Sequence, residues 1–153
     1  EKYFHQNLFS VIKMVSMFSK KMEKNNWGRI INISSTQAIE PTADMVISST
    51  YRAAISAFSK SASLTLAKSG ITINTICPGG VSTDRLISLF KKKAEIDGTN
   101  LETELKIATQ SIPLGRFATV EEIASLSLYL CSDLAGYITG RVHTFDGGLV
   151  KSF

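Results

Sequence analysis

The apolar run Ile30-Ile31-Asn32-Ile33 ends in Ser34-Ser35, and thirteen residues after Ser35 comes Ser48, followed closely by Tyr51 and Arg52. Hydroxyl, phenol and guanidinium side chains can all donate a hydrogen bond to an oxygen, and they differ in whether they can also give up the proton. Their acid strengths differ widely. A phenol titrates near ~10 and is made more acidic by a cationic neighbour, a tenfold gain in acidity being worth about 1.4 kcal/mol. An aliphatic hydroxyl such as Ser48 is a far weaker acid and a poor proton donor near neutrality. Arg52 offers a fork of hydrogen-bond donors but, unlike a lysine, does not give up a proton. Tyr51 stands three residues after Ser48, which on a helix displaces it by about 4.5 Å along the axis and about 60° around it. The plainer reading of Tyr51 is a core or interface tyrosine on an apolar helix face; a backbone shift would be needed to bring its hydroxyl to the site.

The elements that must position these groups follow from pattern. Residues 29–34 are β-branched and nearly all apolar, as in a strand buried on both faces of a parallel sheet. From about Ser48 to Lys68 an alanine-rich stretch puts Tyr51, Ile55, Phe58, Ala62 and Leu66 on one side, with Gly70 as helix terminator. Ile71 to Ile76 alternates like a second strand and closes in Pro78-Gly79-Gly80, so strand, helix and strand form a crossover unit. Residues 1–24 read as an earlier helix with lysines at its end, where the helix dipole favours cations. Thr119 to Glu122 is a capping box that opens a helix over about 120–131, and Gly140 to Asp146 reads as a last short strand. The stretch 84–112, split by Asp97-Gly98, is expected to form two short helical pieces or a mobile flap.

Composition narrows the function classes. At 153 residues and 44% hydrophobic content the chain is globular material for one domain or part of one. No run approaches the roughly 18 apolar residues of a membrane span, and the first residues lack the order of a signal peptide, so no membrane role and a cytoplasmic location are expected. Cys77 and Cys131 are far apart, without a Cys-x-x-Cys pair or neighbouring histidines, and read as buried free thiols; no metal site is expected. The net charge of +4 gathers partly at Lys91-Lys92-Lys93, read as a solvated helix face, because no interleaved aromatics or nucleic-acid motif accompany it. His5 and His143 have no partners at ligand spacing.

Taken together, these segments resemble the C-terminal half of a short-chain dehydrogenase/reductase, most closely the 3-oxoacyl-acyl-carrier-protein reductase type, over nearly all of the chain. No gap is needed from Asn7 to Arg52, and Phe58 and Lys60 fall where the family has its own aromatic and basic residues. Ile112 to Phe117 and Asp146-Gly147-Gly148 are further marks of the lineage. The resemblance implies an α/β fold, the C-terminal half of a doubly wound parallel-sheet Rossmann-type domain, with 1–153 as a single partial domain. None of the ten glycines forms the glycine-rich turn that such a domain uses for pyrophosphate. The expectation is therefore a chain that starts inside the fourth inter-strand helix of a polypeptide of about 250 residues.

By the same resemblance, Asn7 anchors a water relay, Ser35 holds the substrate carbonyl, and Ser48 and Arg52 stand where the family keeps its tyrosine and lysine. Ser35 also reads as a serine capping the loop after its strand. Arg52 would hold the cofactor ribose, and Pro78, Gly79, Val81 and Thr83 would meet the nicotinamide of NADP or NAD; Pro-Gly alone would also suffice for a plain turn. Leu86, Ile87, Leu89 and Phe90 suit either an acyl substrate or burial. The expected activity is reduction of a carbonyl such as a 3-oxoacyl thioester, or oxidation of the matching alcohol. The proton would come from water held by Ser48 or from Tyr51. A small-molecule or acyl-thioester substrate and a homo-oligomer, dimer or tetramer, are the implied partners, with no nucleic acid. The rival is a catalytically silent relative that binds dinucleotide or serves as an assembly or sensing subunit, and acidic-partner binding through Lys91 to Lys93 is a third possibility.

Overall fold

The computed structural model describes residues 1–152. Its centre is β2 (Ile71–Pro78), whose residues 71–77 are all buried. β1 (Gly28–Ile33) pairs with it in parallel from Gly28 opposite Ile71 to Ile33 opposite Ile76. On the other side β3 (Val142–Phe145) pairs in parallel from Val142 opposite Thr75, giving the order β1-β2-β3. Side chains alternate across a strand, so Ile71 and Ile73 enter one core and Ile76 the other. The first core joins Ile71 and Ile73 to Val15 and Leu66, with Val11, Met22, Ile30 and Phe58 against them. The second joins Ile76 to Leu130 and Ala135, with Ile31, Ile123, Leu126 and Phe145 packed on it.

The alternation expected over 71–76 is real in residue type but does not divide core from solvent. Thr72, Asn74 and Thr75 are buried too, because both faces of β2 are covered. Asn74 is satisfied there: its Nδ2 donates to the Ile138 carbonyl at 2.8 Å, and its Oδ1 accepts from the Arg141 amide at 3.1 Å. A buried amide without such partners would be costly. These bonds also tie the turn before β3 to the sheet.

Helices cover both faces. α1 (Ser10–Glu23) is entered through a helical turn, Lys2–Phe4, and a π-helical turn, His5–Phe9. α2 (Val46–Leu66) lies with it over the first core, and a 3₁₀ turn, Ala67–Ser69, leads to Gly70. Gly70 has φ +68°, and a Cβ there would collide with the Asn26 carbonyl, so only glycine turns the chain into β2 at this point. α5 (Val120–Cys131) covers the second core and begins with the expected capping box: the Thr119 hydroxyl accepts from the Glu122 amide, and the Glu122 carboxylate accepts from the Thr119 amide. Arg116 adds two donors to that carboxylate at 2.8 and 2.6 Å and, with the Thr119 amide, holds the Glu122 carboxyl down at about 2.

Between β2 and α5 stand two ordered helices, α3 (Asp84–Asp97) and α4 (Leu101–Thr109). Of the two expectations for 84–112 the helical one holds, although α3 runs for 14 residues and is not short. Gly98, at φ +65°, makes the corner. Glu104 is buried and closes the hairpin by accepting from Lys93 Nζ and, at 2.7 Å, from Thr99 Oγ1. Lys91, Lys92 and Lys93 are all exposed, as a solvated helix face requires, and Lys93 in addition ties its tip to the hairpin. No described helix is long and apolar enough to cross a membrane.

Candidate active site

The carboxyl ends of β1 and β2 open into a cleft of about 560 Å³, lined by Ser34, Ser35, Arg52, Pro78 to Val81, Thr83, Arg85, Leu86 and Leu89. Parallel strands end here on one edge, and α/β sheets bind ligands outside this edge. Ser35 and Thr83 each cap the element that follows. Ser35 Oγ accepts from the Gln37 amide at 3.3 Å over the 3₁₀ turn Thr36–Ala38, and Thr83 Oγ1 accepts from the Leu86 amide at 3.3 Å at the start of α3. A serine or threonine hydroxyl has one donor and two acceptor sites. The cap uses an acceptor site, so each O–H is still free to donate to a ligand oxygen, and the capping and ligand readings of Ser35 are compatible.

Arg52, one turn along α2 from Ser48, forms part of the cleft wall while its Nε donates to Ser48 Oγ at 3.1 Å. Ser48 Oγ also lies 3.3 Å from the Tyr51 hydroxyl, with either atom able to donate, and the Arg52 guanidinium carbon stands 5.5 Å from the Tyr51 ring centre. Of the plainer expectation, a core or interface tyrosine, the core half fails, because Tyr51 joins neither core cluster. It is half-buried, and its hydroxyl is bonded within the cluster. Ser48 and Tyr51 face a second hollow, of about 520 Å³, formed with Tyr3, Asp44, Met45, Val46 and Ile47.

The structure thus gathers the expected residues into two groups joined by Arg52. Ser35, Pro78, Gly79, Val81 and Thr83 share the cleft with it; Ser48 and Tyr51 share its hydrogen bonds. Asn7 lines neither hollow. It sits in the π-helical turn, its Nδ2 donating to the Tyr3 carbonyl at 3.0 Å, and that turn packs against α2. Single π turns inserted in α-helices recur at functional sites.

Beneath the cleft, Cys77 is fully buried, and burial pushes its thiol up despite opposing contributions from Ser35, Ser34 and Arg52. The expectation of two buried thiols fails at Cys131, which is exposed at the end of α5. Phe90 turns away from the acyl-pocket reading toward burial, stacking on Phe117 at 5.7 Å, whereas Leu86 and Leu89 do line the cleft. Sequence reasoning missed Arg85, which adds a second guanidinium, and Gln37, which is the middle residue of the 3₁₀ turn Thr36–Ala38. Arg85 was findable from its place two residues after Thr83; nothing in the spacing marked Gln37.

Among the described residues no group of three or more acidic, histidine or cysteine side chains is arranged to hold a metal ion. The cleft does fit a nicotinamide nucleotide. It combines a free hydroxyl at Thr83, a donor fork at Arg52 and a loop in which a Cβ on Gly79 would press on Asp146 at 3.3 Å and one on Gly80 would strike Phe117.

Comparison with known proteins agrees with this geometry. The family model described as enoyl-(acyl carrier protein) reductase matches residues 1–150. The 3-oxoacyl-[acyl-carrier-protein] reductase FabG of Aquifex aeolicus is 36% identical over 149 residues, covering 97% of this chain and 56% of that protein. The NADPH-dependent reductase BacG of Bacillus subtilis is 36% identical over 152 residues, covering 97% and 58%. Among solved structures, L-sorbose reductase from Gluconobacter frateurii, complexed with NADPH and L-sorbose, superposes with a TM-score of 0.94 at 28% identity over 99% of this chain and 58% of that one. The chain spans a little over half the length of these proteins. With a parallel sheet, a cleft at its carboxyl edge and a family match over almost every residue, the chain belongs to the short-chain dehydrogenase/reductase family.

Proposed function

We propose that residues 1–153 are a single partial domain, the substrate-facing part of a nicotinamide-dependent oxidoreductase that reduces a carbonyl or oxidises the matching alcohol. The observation that carries this reading is the single cleft shared by Ser35, Arg52, Pro78 to Val81 and Thr83 at the ends of β1 and β2. NADP is the proposed nucleotide, following the NADPH named for the Bacillus reductase and present in the Gluconobacter complex, with NAD as the competing arm of the test. Leu86 and Leu89 give the cleft an apolar wall suited to a 3-oxoacyl thioester. Self-association is proposed as well, through the exposed Leu128, Leu134 and Tyr137 at the end of α5 and beyond it.

Carbonyl reduction adds a hydride to carbon and a proton to oxygen. A dinucleotide bound here would supply the hydride from its nicotinamide ring. Arg52 would hold its ribose hydroxyls with the donors not given to Ser48, and Thr83 would hold its carboxamide. Ser35 donates its free O–H to the substrate oxygen, where negative charge develops. The proton reaches that oxygen from water held by Ser48, and the Ser48 hydroxyl relays the replacement from Tyr51; Arg52 stands beside the phenolate that results. Water in the outer hollow returns the proton to Tyr51, and Asn7 anchors water on the neighbouring π turn.

The second reading is a relative that binds dinucleotide without turnover, favoured by one observation: Ser35 and Ser48 line different hollows. An assay of NADPH and NADH oxidation by the full-length polypeptide, against 3-oxoacyl thioesters and ketoses, separates the two. The oxidoreductase reading expects turnover that drops roughly 10²-fold or more in Ser35→Ala and in Tyr51→Phe, with nucleotide affinity nearly unchanged. Binding without turnover, with activity emerging only in the Ser48→Tyr/Arg52→Lys double variant, would establish the silent reading instead.

A further inference from the structure

Gln37 lies in the loop between β1 and α2, and its side-chain amide bonds to both ends of what that loop must hold. Its Oε1 accepts from the Thr42 amide at 3.0 Å, from Thr42 Oγ1 at 3.2 Å and from Ser49 Oγ at 3.1 Å. The Thr42 amide can only donate, which settles which way round the Gln37 side chain lies. Its own backbone N–H donates to Ser35 Oγ. Ser49 is buried on α2 and adjoins Ser48 in the chain. One residue therefore connects the hydroxyl in the cleft to the helix turn that carries Ser48, Tyr51 and Arg52, and does so through four hydrogen bonds.

We infer that Gln37 is a positioning residue: it fixes the orientation of the Ser35 hydroxyl and the spacing between Ser35 and the first turns of α2. The inference rests on the role proposed above for Ser35. The physical basis is the donor count at Ser35. With the Gln37 N–H on one lone pair, the hydroxyl proton is directed away from the 3₁₀ turn and toward the cleft. If residue 37 drifts, that direction is lost while Ser35 itself remains in place. Backbone bonds from Ala38 to Ser35 and from Ile39 and Glu40 to Thr36 shape the turn internally, and the three bonds at Oε1 are what fasten that turn to Thr42 and to Ser49 on α2. The same three groups would donate to a carboxylate oxygen equally well, so the geometry needs an acceptor at this position and not an amide.

The test compares Gln37→Leu, which removes the acceptor, with Gln37→Glu, which keeps it, in the full-length polypeptide with NADPH and a 3-oxoacyl thioester. Misplacement on the scale of an ångström is worth ~10²-fold in rate. Gln37→Leu is expected to lose roughly that much kcat with nucleotide affinity unchanged, and Gln37→Glu to retain it. A purely structural role predicts independent losses, so the decisive arm is the Ser35→Ala background, where Gln37→Leu should cost nothing further. Additive losses there, or an undiminished kcat in Gln37→Leu, would overturn the inference while leaving the role of Ser35 intact. A fully active Ser35→Ala variant would instead remove the reading on which it rests. Amide hydrogen exchange at Gln37 and Thr42 reads the same connection without turnover: protection should be lost in Gln37→Leu and kept in Gln37→Glu. Equal exchange in all three proteins would sink the idea whatever the assay gives.

Discussion

Ser48 sits between a donor it must satisfy and a phenol with which it can exchange a proton. Arg52 Nε occupies one lone pair, so the serine can pass a proton on only by taking one from Tyr51. A weak acid at position 48 becomes serviceable if a stronger one stands behind it, and the Tyr51 hydroxyl at 3.3 Å meets that geometric requirement. The thiols offer a separate test at this scale. Cys77 is enclosed and its thiol pushed up, which keeps it protonated and shielded, while Cys131 is open to solvent. Alkylation at neutral pH followed by peptide mapping should modify Cys131 quickly and Cys77 only on unfolding, since the thiolate is the reacting form. Rapid labelling of Cys77 in the folded protein would mean that the floor of the cleft opens.

At the scale of elements, the α3–α4 hairpin depends on one carboxylate. Glu104 is held below its ordinary 4.5 by Lys93 first and by Thr99 next, and Lys93 is raised above its ordinary 10.5 by Asp97 and Glu104. A lowered acid stabilises the folded form above its unfolded value and loses that effect as pH falls through the folded one; a raised base does so below its unfolded value and loses it as pH rises. The hairpin should accordingly be tightest between these limits. Amide protection over 84–109, relative to the intrinsic exchange rate at each pH, is expected to fall at acid pH below 4.5, and Glu104→Ala should show the lower protection already at neutral pH. No change in the variant would assign the hairpin's order to Phe90 on Phe117 instead. Elements of this kind were legible in the sequence where local chemistry fixed them: the Thr119 capping box, the glycine at 70, the apolar runs of β1 and β2. The order of 84–112 was not, because it rests on Lys93 meeting Glu104 across eleven residues, and spacing does not reveal that pairing. That Ser35 and Thr83 would meet in one cleft was legible through their loops. The outer hollow and the place of Tyr51 depend on side-chain directions, and the role of Gln37 on contacts with Thr42 and Ser49, none of which periodicity encodes.

For the whole molecule the open question is the sheet edge. β1 pairs only with β2 among the described residues, and beside it runs a groove lined by Val11, Met14, Phe18, Met22 and Ile30. Met14 and Phe18 are nearly half exposed, at 49% and 46%, and Ile33 on the strand is 55% exposed. A long free strand edge flanked by apolar side chains templates pairing with another chain unless it is covered. Relatives nearly twice as long provide a candidate cover, and we propose that a further strand of the same polypeptide lies along β1 with a helix or loop over the groove. Residues 1–153 expressed alone should then bind anilinonaphthalene sulfonate and associate at micromolar concentration, and a longer polypeptide from the same reading frame should do neither. Substituting Met14 by lysine would reduce association of the short form yet destabilise the long one, since the same position is an exposed liability in the first and an interior contact in the second. Equal dye binding by both forms, or a Met14→Lys change harmless to the longer protein, would make the groove an outer surface and leave the edge of β1 to a partner chain.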